Sequence, residues 1–197
     1  MADPLYLSLW FPTFGESEMM PRLLSVVRQF LFSASRPGIS TVSVHPVSWS
    51  EATVLERRFR PGIEPEQAIA IAADMLHKDY AYLLEAYWDL WVRNEDTGEW
   101  IVEPRQVKFI AQALEFEDGA YEQTGHIQID FGLDTPFLFD DVDLSETSEP
   151  RVRANVQKLV NFTNALEKTA GITGRVLWSE SDENLAQKLI QRLQKTH

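Results

Sequence analysis

The segment from Tyr80 to Val92 presents different side chains at its two sets of alternate positions. One set is entirely apolar or aromatic and consists of Tyr82, Leu84, Ala86, Trp88, Leu90 and Val92. The other set is mixed, with Glu85, Asp89 and the following Arg93 beside Leu83, Tyr87 and Trp91. A period of two residues is typical of a β-strand with one face in the core. Because antiparallel sheets commonly leave their second face polar, the segment predicts a long strand in such a sheet.

Shorter segments on both sides predict further strands at residues 5–11, 39–47, 51–59, 100–102, 107–116, 126–131 and 175–178. Apolar residues at helical spacing predict four helices, which begin near Ser17, Pro65, Ser148 and Asp182. Strands and helices do not alternate strictly, as they would in a parallel α/β fold. We therefore predict an α+β fold, with an antiparallel or mixed sheet and helices mainly on one of its faces.

The first six predicted elements occur in the order βαββαβ, which is the order of a ferredoxin-like unit. The remaining elements could then form a rearranged second half. At 197 residues, the chain has the length of one domain or of two tightly fused halves. We predict a single compact domain over residues 1–197, with 1–104 and 105–197 as alternative pseudo-halves.

Composition limits the class of protein. Hydrophobic residues make up 44% of the chain, with six Trp and eleven Phe, so a packed core is expected. No apolar stretch reaches the length of a membrane helix, and residues 5–11 are too short for a signal-peptide core. We therefore expect a cytoplasmic protein that does not bind membranes. The absence of cysteine excludes disulfides, thiol nucleophiles and cysteine-containing zinc sites.

The charge of the chain is −12 and is unevenly distributed. It argues against nucleic acid as a partner, because nucleic-acid binding depends on basic surfaces. Residues 115–149 hold eleven Asp or Glu and no Lys or Arg. Clustered charge of one sign steers association with an oppositely charged protein. The acidic stretch therefore predicts a basic protein partner.

Six residues within this stretch are predicted to bind the partner: Asp140, Asp141, Asp143, Glu146, Phe137 and Phe139. Aromatic anchors surrounded by charge are typical of protein interfaces. The sequence leaves two alternatives open. The acids could be solvated loop charge before a helix, and the two aromatic rings could belong to the core.

The segment 126–131 is the candidate for a catalytic or small-molecule site. Strict alternation places His126, Gln128 and Asp130 on one face of the predicted strand. A neighbouring antiparallel strand could add Lys108 and Gln112 to that face. An imidazole near a carboxylate could bind a polar ligand or share a proton. The alternative is the ordinary polar face of a half-buried sheet.

Motifs for catalysis and cofactor binding are absent, since the chain has no GxGxxG, GxxxxGK[ST], GxSxG or HExxH segment. We therefore expect neither a cofactor nor a metal site. The only basic cluster is Arg57-Arg58-Phe59-Arg60. Its guanidinium groups could bind an anion, or they could pair with the surplus of acidic residues.

Together these features favour a non-enzymatic protein-binding protein. Its most concrete form is an acidic immunity-like or inhibitor protein that recognises a basic partner. The alternative is an enzyme or small-molecule binder that uses the polar strand face around His126. A third option is an oligomeric structural subunit, for example a homodimer that buries exposed strand edges.

Overall fold

The computed structural model describes residues 2–139, 145–180 and 185–194. The strands are β1 (Pro4–Trp10), β2 (Ile39–Pro46), β3 (Leu55–Ile63), β4 (Tyr80–Arg93), β5 (Trp100–Gln112), β6 (Ile127–Leu133) and β7 (Gly174–Ser179). The helices are α1 (Glu16–Val27), α2 (Pro65–Ala73), α3 (Tyr121–Thr124), α4 (Thr135–Leu138), α5 (Glu149–Thr169) and α6 (Leu185–Leu193), and a 3-10 turn lies at Phe116–Asp118. Within the described ranges, no helix is both long enough and apolar enough to cross a membrane.

All seven strands form one sheet with the order β3-β2-β4-β5-β6-β1-β7, and every neighbouring pair is antiparallel. The α+β class and the antiparallel sheet are therefore confirmed. On β4, the predicted inward residues Tyr82, Leu84 and Trp88 are fully buried. Helices α1, α2, α5 and α6 add apolar side chains to the same core, such as Leu23 and Leu159. The opposite face of the sheet carries the polar set, and we call it the polar face.

Helix α5 begins and ends where its sequence signals place it. Pro150 occupies the first turn, where backbone N–H groups have no acceptor within the helix, so the missing N–H of proline costs no hydrogen bond. Gly171 follows the helix with a φ of 67°, as a C-terminal cap residue commonly does. Asn155 of α5 is 2% exposed and faces β4. Its side-chain amide accepts the Trp91 N–H at 2.9 Å and donates to the Trp91 carbonyl at 2.8 Å. Helix α5 thereby supplies hydrogen-bond partners to the part of β4 that extends past its pairing with β2.

The strand β5 differs from its prediction, because 100–102 and 107–112 form parts of one continuous strand that passes through Pro104, and the predicted residues 113–116 lie beyond its end. Proline cannot donate to a neighbouring strand, so it is tolerated only where no partner needs its N–H. The N–H of Gln112 donates to the His126 carbonyl, so every second residue of β5, including Pro104, directs its backbone nitrogen to the β6 side. Strand β6 stops pairing before it reaches Pro104, so no acceptor on β6 needs that N–H. Helices α3 and α4 were not predicted, because four residues are too few to show a helical period.

The ferredoxin-like arrangement of the first half is not confirmed. The first four strands do not pair among themselves as one unit, because β1 pairs with β6 and β7 from the second half of the chain. The order of elements along a chain does not determine which strands become neighbours. Strand β5 also crosses the boundary between 1–104 and 105–197, so the two pseudo-halves share one sheet.

Candidate functional site

A row of side chains runs across six strands on the polar face. Residues directly opposite one another in a sheet lie on the same face, so the row follows from the strand register. From β3 to β1, its members are Arg58, Thr41, Glu85, Lys108, Asp130 and Tyr6. Its three central charges, on β4, β5 and β6, alternate in sign, which favours this pairing of the strands. We call it the charged row.

The centre of the charged row contains two of the residues predicted for a site. The Nζ atom of Lys108 lies 3.9 Å from Oδ2 of Asp130, and the two side chains are 38% and 20% exposed. Oδ1 of Asp130 accepts the Gly132 N–H at 2.8 Å, which fixes the carboxylate. Burial, followed by the negative charges of Asp130 and Glu180, raises the pKa of Tyr6. The tyrosine beside the pair therefore stays protonated at neutral pH.

Two grooves lie side by side on this part of the molecule, and both are lined by Gln106 and Lys108. One groove, of about 740 Å³, lies over β2, β3 and β4, and we call it the arginine groove because Arg36, Arg58 and Arg60 line it. The other, of about 780 Å³, lies where β6 ends and β5 continues, and we call it the β6-end groove. Both volumes fall within the range of about 300–1,000 Å³ typical of small-ligand sites.

His126 lines neither groove and is only 8% exposed. Its Nδ1 atom accepts the Phe11 N–H at 3.0 Å, and its ring stacks between Phe14 at 4.8 Å and Tyr121 at 4.7 Å. Burial lowers the pKa of the imidazole, so the neutral form predominates at pH 7. Because Nδ1 acts as an acceptor, the neutral ring carries its proton on Nε2. These contacts join the end of β1 to α3 and support a structural role for the ring.

The two glutamines of the predicted site are also separated from the grooves. Gln112 is 2% exposed, and its side-chain nitrogen donates to Thr124 Oγ1 at 2.8 Å. Gln128 lies on the polar face, but it lines neither groove. Of the five residues predicted for this site, only the Lys–Asp pair of the charged row lies at a groove. Short helix α3 encloses Gln112 and His126.

Phe137 and Phe139, which were predicted as surface anchors, lie in the core instead. Phe137 is fully buried, and its ring centroid is 5.9 Å from that of Trp88. Phe139 is 8% exposed and contacts Trp100, with 4.8 Å between the ring centroids. Arg192 of α6 donates to the last two carbonyl groups of this segment. Both rings are therefore occupied by internal packing and are unavailable as anchors for a partner.

The acidic stretch 115–149 is divided by β6 into two patches. The acids before β6 make local contacts: Glu115 forms an ion pair with Lys78 at 2.9 Å, and Glu117 accepts the Trp49 N–H at 3.0 Å. The seven residues of β6 follow, and a strand of that length spans about 23 Å. Strand β6 therefore separates the acids before it from Asp134, the first described acid after it.

Described residues that follow β6 contact the β4–β5 hairpin close to its tip. Phe139, directly after α4, contacts Trp100 of this hairpin, and the guanidinium carbon of Arg151 in α5 lies 5.3 Å from the centroid of the Trp91 ring. Glu146, shortly before α5, is exposed. Three predicted partner-binding residues lie outside the described residues, namely Asp140, Asp141 and Asp143. Three exposed acids at the hairpin tip form no ion pair with any described residue: Glu95, Asp96 and Glu99. We call the hairpin tip together with the described residues 145–149 the acidic end.

The arginine groove contains residues that the sequence analysis did not combine. Arg58 forms an ion pair with Glu56 of its own strand at 2.8 Å, whereas Arg60 forms none with a described residue. Arg36 lines the same groove, with its guanidinium carbon 4.2 Å from the centroid of the Tyr87 ring. The Pro61-Gly62 pair is a local sequence signal that β3 is interrupted beside the groove. Arg36 reaches the groove from a loop distant in sequence, and no local pattern predicts that it lines the groove with Arg58 and Arg60.

In the ranges that the structure describes, no group of three or more His, Asp or Glu residues could hold a metal ion. Comparison with family models, with curated proteins and with solved structures finds no match for the chain. The geometry and charge of the two grooves and the acidic end are therefore the features of the molecule that indicate a function.

Proposed function

We propose that this chain is a non-enzymatic, cytoplasmic binding protein that recognises a basic protein partner through its acidic end, in an immunity-like or inhibitor role. The main support is the contact between Phe139 and Trp100, which places the end of α4 beside the β4–β5 hairpin, whose tip exposes Glu95, Asp96 and Glu99. The net charge of −12 adds a long-range attraction for a basic partner.

The hairpin tip presents its charges in a form suited to recognition. Its carboxylates are exposed and form no ion pair with described residues, so a partner's Lys or Arg can approach them without breaking an existing pair. The turn is ordered by Asn94, whose Oδ1 accepts the N–H groups of Asp96 and Thr97 at 2.9 and 3.0 Å. An ordered turn loses little conformational entropy on binding. Such charges favour fast and salt-sensitive association.

The surroundings of His126 support binding over catalysis. Its Nδ1 is engaged by a backbone N–H, and both faces of its ring are covered by aromatic side chains. A general base must come within hydrogen-bond reach of the substrate proton it removes. An imidazole enclosed in this way has no face on which a substrate could lie.

A capture experiment with matched variants tests the proposal. The tip variant is Glu95→Gln, Asp96→Asn and Glu99→Gln. The control is Glu117→Gln, Asp118→Asn and Glu122→Gln, which removes the same charge from the patch before β6. Each protein is immobilised at equal density and exposed to a lysate of the source organism. Proteins bound at low salt and released at high salt are identified, purified and titrated against all three baits.

We expect a basic protein that binds the wild type and the control alike. Its affinity for the tip variant should be about tenfold lower or more, since exposed ion pairs contribute up to about 1 kcal/mol each. A generic basic protein, hen egg-white lysozyme, reports non-specific attraction and should not distinguish the two variants. Equal weakening by both variants would mean that net charge alone explains the capture, and the proposal would be wrong.

A further inference from the structure

The arginine groove has the opposite charge to the protein as a whole. Four cationic and two anionic residues line it: Arg36, Arg58, Arg60 and Lys108, with Glu56 and Glu85. Burial lowers the pKa of His45, the histidine of the lining, although Glu56 partly opposes this shift. The imidazole therefore adds little charge at pH 7. The groove has a surplus of two positive charges, four against two, in a chain of net charge −12.

One wall of the groove consists of two backbone segments that pack closely together. Strand β3 leaves its ladder with β2 over residues 59–62 and forms a bulge. The bulge packs against the loop 36–38, and a Cβ atom on Gly62 would lie only 2.3 Å from the carbonyl oxygen of Pro37. Gly38 has a φ of 77°, and a Cβ there would meet the opposite backbone at 2.6 Å. Only glycine permits this approach, and the pairing of Ile39 with Ile63 joins the two segments next to it.

The cations of the groove differ in how far they are already neutralised. Arg58 is paired with Glu56, and Lys108 lies at the longer distance of 3.9 Å from Asp130. Arg36 and Arg60 are exposed and form no ion pair with a described residue. A guanidinium stacked on an aromatic ring, as Arg36 is on Tyr87, keeps its N–H groups free to bind in its own plane. Two guanidinium groups of this wall are therefore available to an anion.

We propose that the arginine groove binds a small ligand that carries at least two negative charges on carboxylate or phosphate groups. Arginine binds both groups through paired, charge-assisted hydrogen bonds. Lys108 supplies a further positive charge on the β5 side, and the Thr41 hydroxyl lies in the lining as a neutral polar group, whereas the Ser40 hydroxyl donates to the Glu85 carbonyl at 3.1 Å. The volume of about 740 Å³ suits a small molecule enclosed between the wall and the sheet. The charge of such a ligand matches the surplus of the groove.

Titration calorimetry with three probes tests this site, namely pyrophosphate, citrate and a hexaglutamate peptide. The variants Arg36→Gln and Arg60→Gln each remove one unpaired guanidinium. The matched control is Arg57→Gln, on the same strand. Arg57 pairs with the buried Val42 and does not line the groove. Urea unfolding of each variant verifies that it is folded, and the tip variant Glu95→Gln, Asp96→Asn, Glu99→Gln is included as a second control.

We expect pyrophosphate or citrate to bind the wild type and both controls with a Kd below about 1 mM at low salt. Binding to the Arg36 and Arg60 variants should be about tenfold weaker or more, because each loses a charge-assisted contact. The preferred probe distinguishes phosphate from carboxylate. Binding of the peptide alone would assign the groove to an acidic polypeptide and overturn the small-ligand proposal. Absence of binding by any probe, or equal loss in the Arg57 variant, would also overturn it, whatever the outcome at the acidic end.

Discussion

Asn155 takes the place of a neighbouring strand for part of β4, and we expect Asn155→Ala to be strongly destabilising. Its amide makes three hydrogen bonds, to the N–H and carbonyl of Trp91 and, at 2.7 Å, to the carbonyl of Pro136. Each buried polar group left without a partner costs about 1–3 kcal/mol. Trp91 and Pro136 are partly exposed, so water can recover part of the loss. The expected decrease in the free energy of unfolding is therefore about 3–5 kcal/mol.

Urea unfolding of the wild type, Asn155→Ala and Asn164→Ala measures this effect. Asn164 lies on the same helix but is exposed, so its replacement should change the free energy of unfolding by less than about 0.5 kcal/mol. With a slope of about 2–3 kcal/mol/M, the Asn155 variant should lose more than about 1 M in its urea midpoint. Hydrogen exchange of the Trp91 amide should also become faster, since its acceptor is removed.

A small effect would refute this reasoning. If Asn155→Ala cost less than about 1 kcal/mol, the three hydrogen bonds could not be the main support of this edge of β4. Unchanged exchange of the Trp91 amide would lead to the same conclusion, because it would show that another acceptor is present. A loss in the exposed control as large as that in the Asn155 variant would instead indicate a general effect on the helix.

Three further substitutions test separate parts of the structure. Burial lowers the pKa of His126 below its unfolded value near 6.5, so the unfolded chain binds the proton first and stability falls as pH drops through that value. In urea titrations from pH 7.5 to 5.5, the stability difference between the wild type and His126→Gln should therefore shrink, and a constant difference would contradict the shift. Gly62→Ala should cost more than about 2 kcal/mol in thermal unfolding, because its Cβ would lie 2.3 Å from a carbonyl oxygen. Gly174→Ala, whose nearest contact would be at 3.9 Å, should cost much less, and equal losses would argue against the tight wall of the arginine groove. Phe137→Ala should cost about 3–5 kcal/mol as a core substitution, whereas weaker partner binding at unchanged stability would mean that the ring is a surface anchor after all.

The sequence predicts the parts of the fold that depend on local periodicity. The pattern of β4 places Leu84 and Trp88 correctly in the core, because successive side chains of a strand point alternately to the core and to the opposite face of the sheet. Helices α2 and α5 are also predicted near their observed starts, since Pro65 and Pro150 mark their first turns. Strand pairing is not local. No feature of β1 alone indicates that it lies between β6 and β7.

The candidate site shows the same division between local and distant information. Alternation correctly assigns Gln128 and Asp130 to the polar face, and register adds Lys108 beside Asp130. The same alternation cannot reveal that Tyr121 and Phe14 cover His126, because both come from segments without a clear period. The arginine groove was missed for a similar reason, since it depends on a bulge and a loop that meet only in the folded chain.

The position of β1 affects the order in which the chain can fold. Leu9 pairs with Ile127 and Leu5 with Ser179, so both neighbours of β1 are synthesised long after it. At about 5–20 residues per second, roughly ten seconds pass between the synthesis of β1 and that of β6. Leu5, Leu7 and Leu9 are fully buried in the folded protein, but throughout this time they have no partner strand. An unpaired apolar strand can associate with other chains, so the nascent protein is vulnerable to aggregation until the sheet closes around β1.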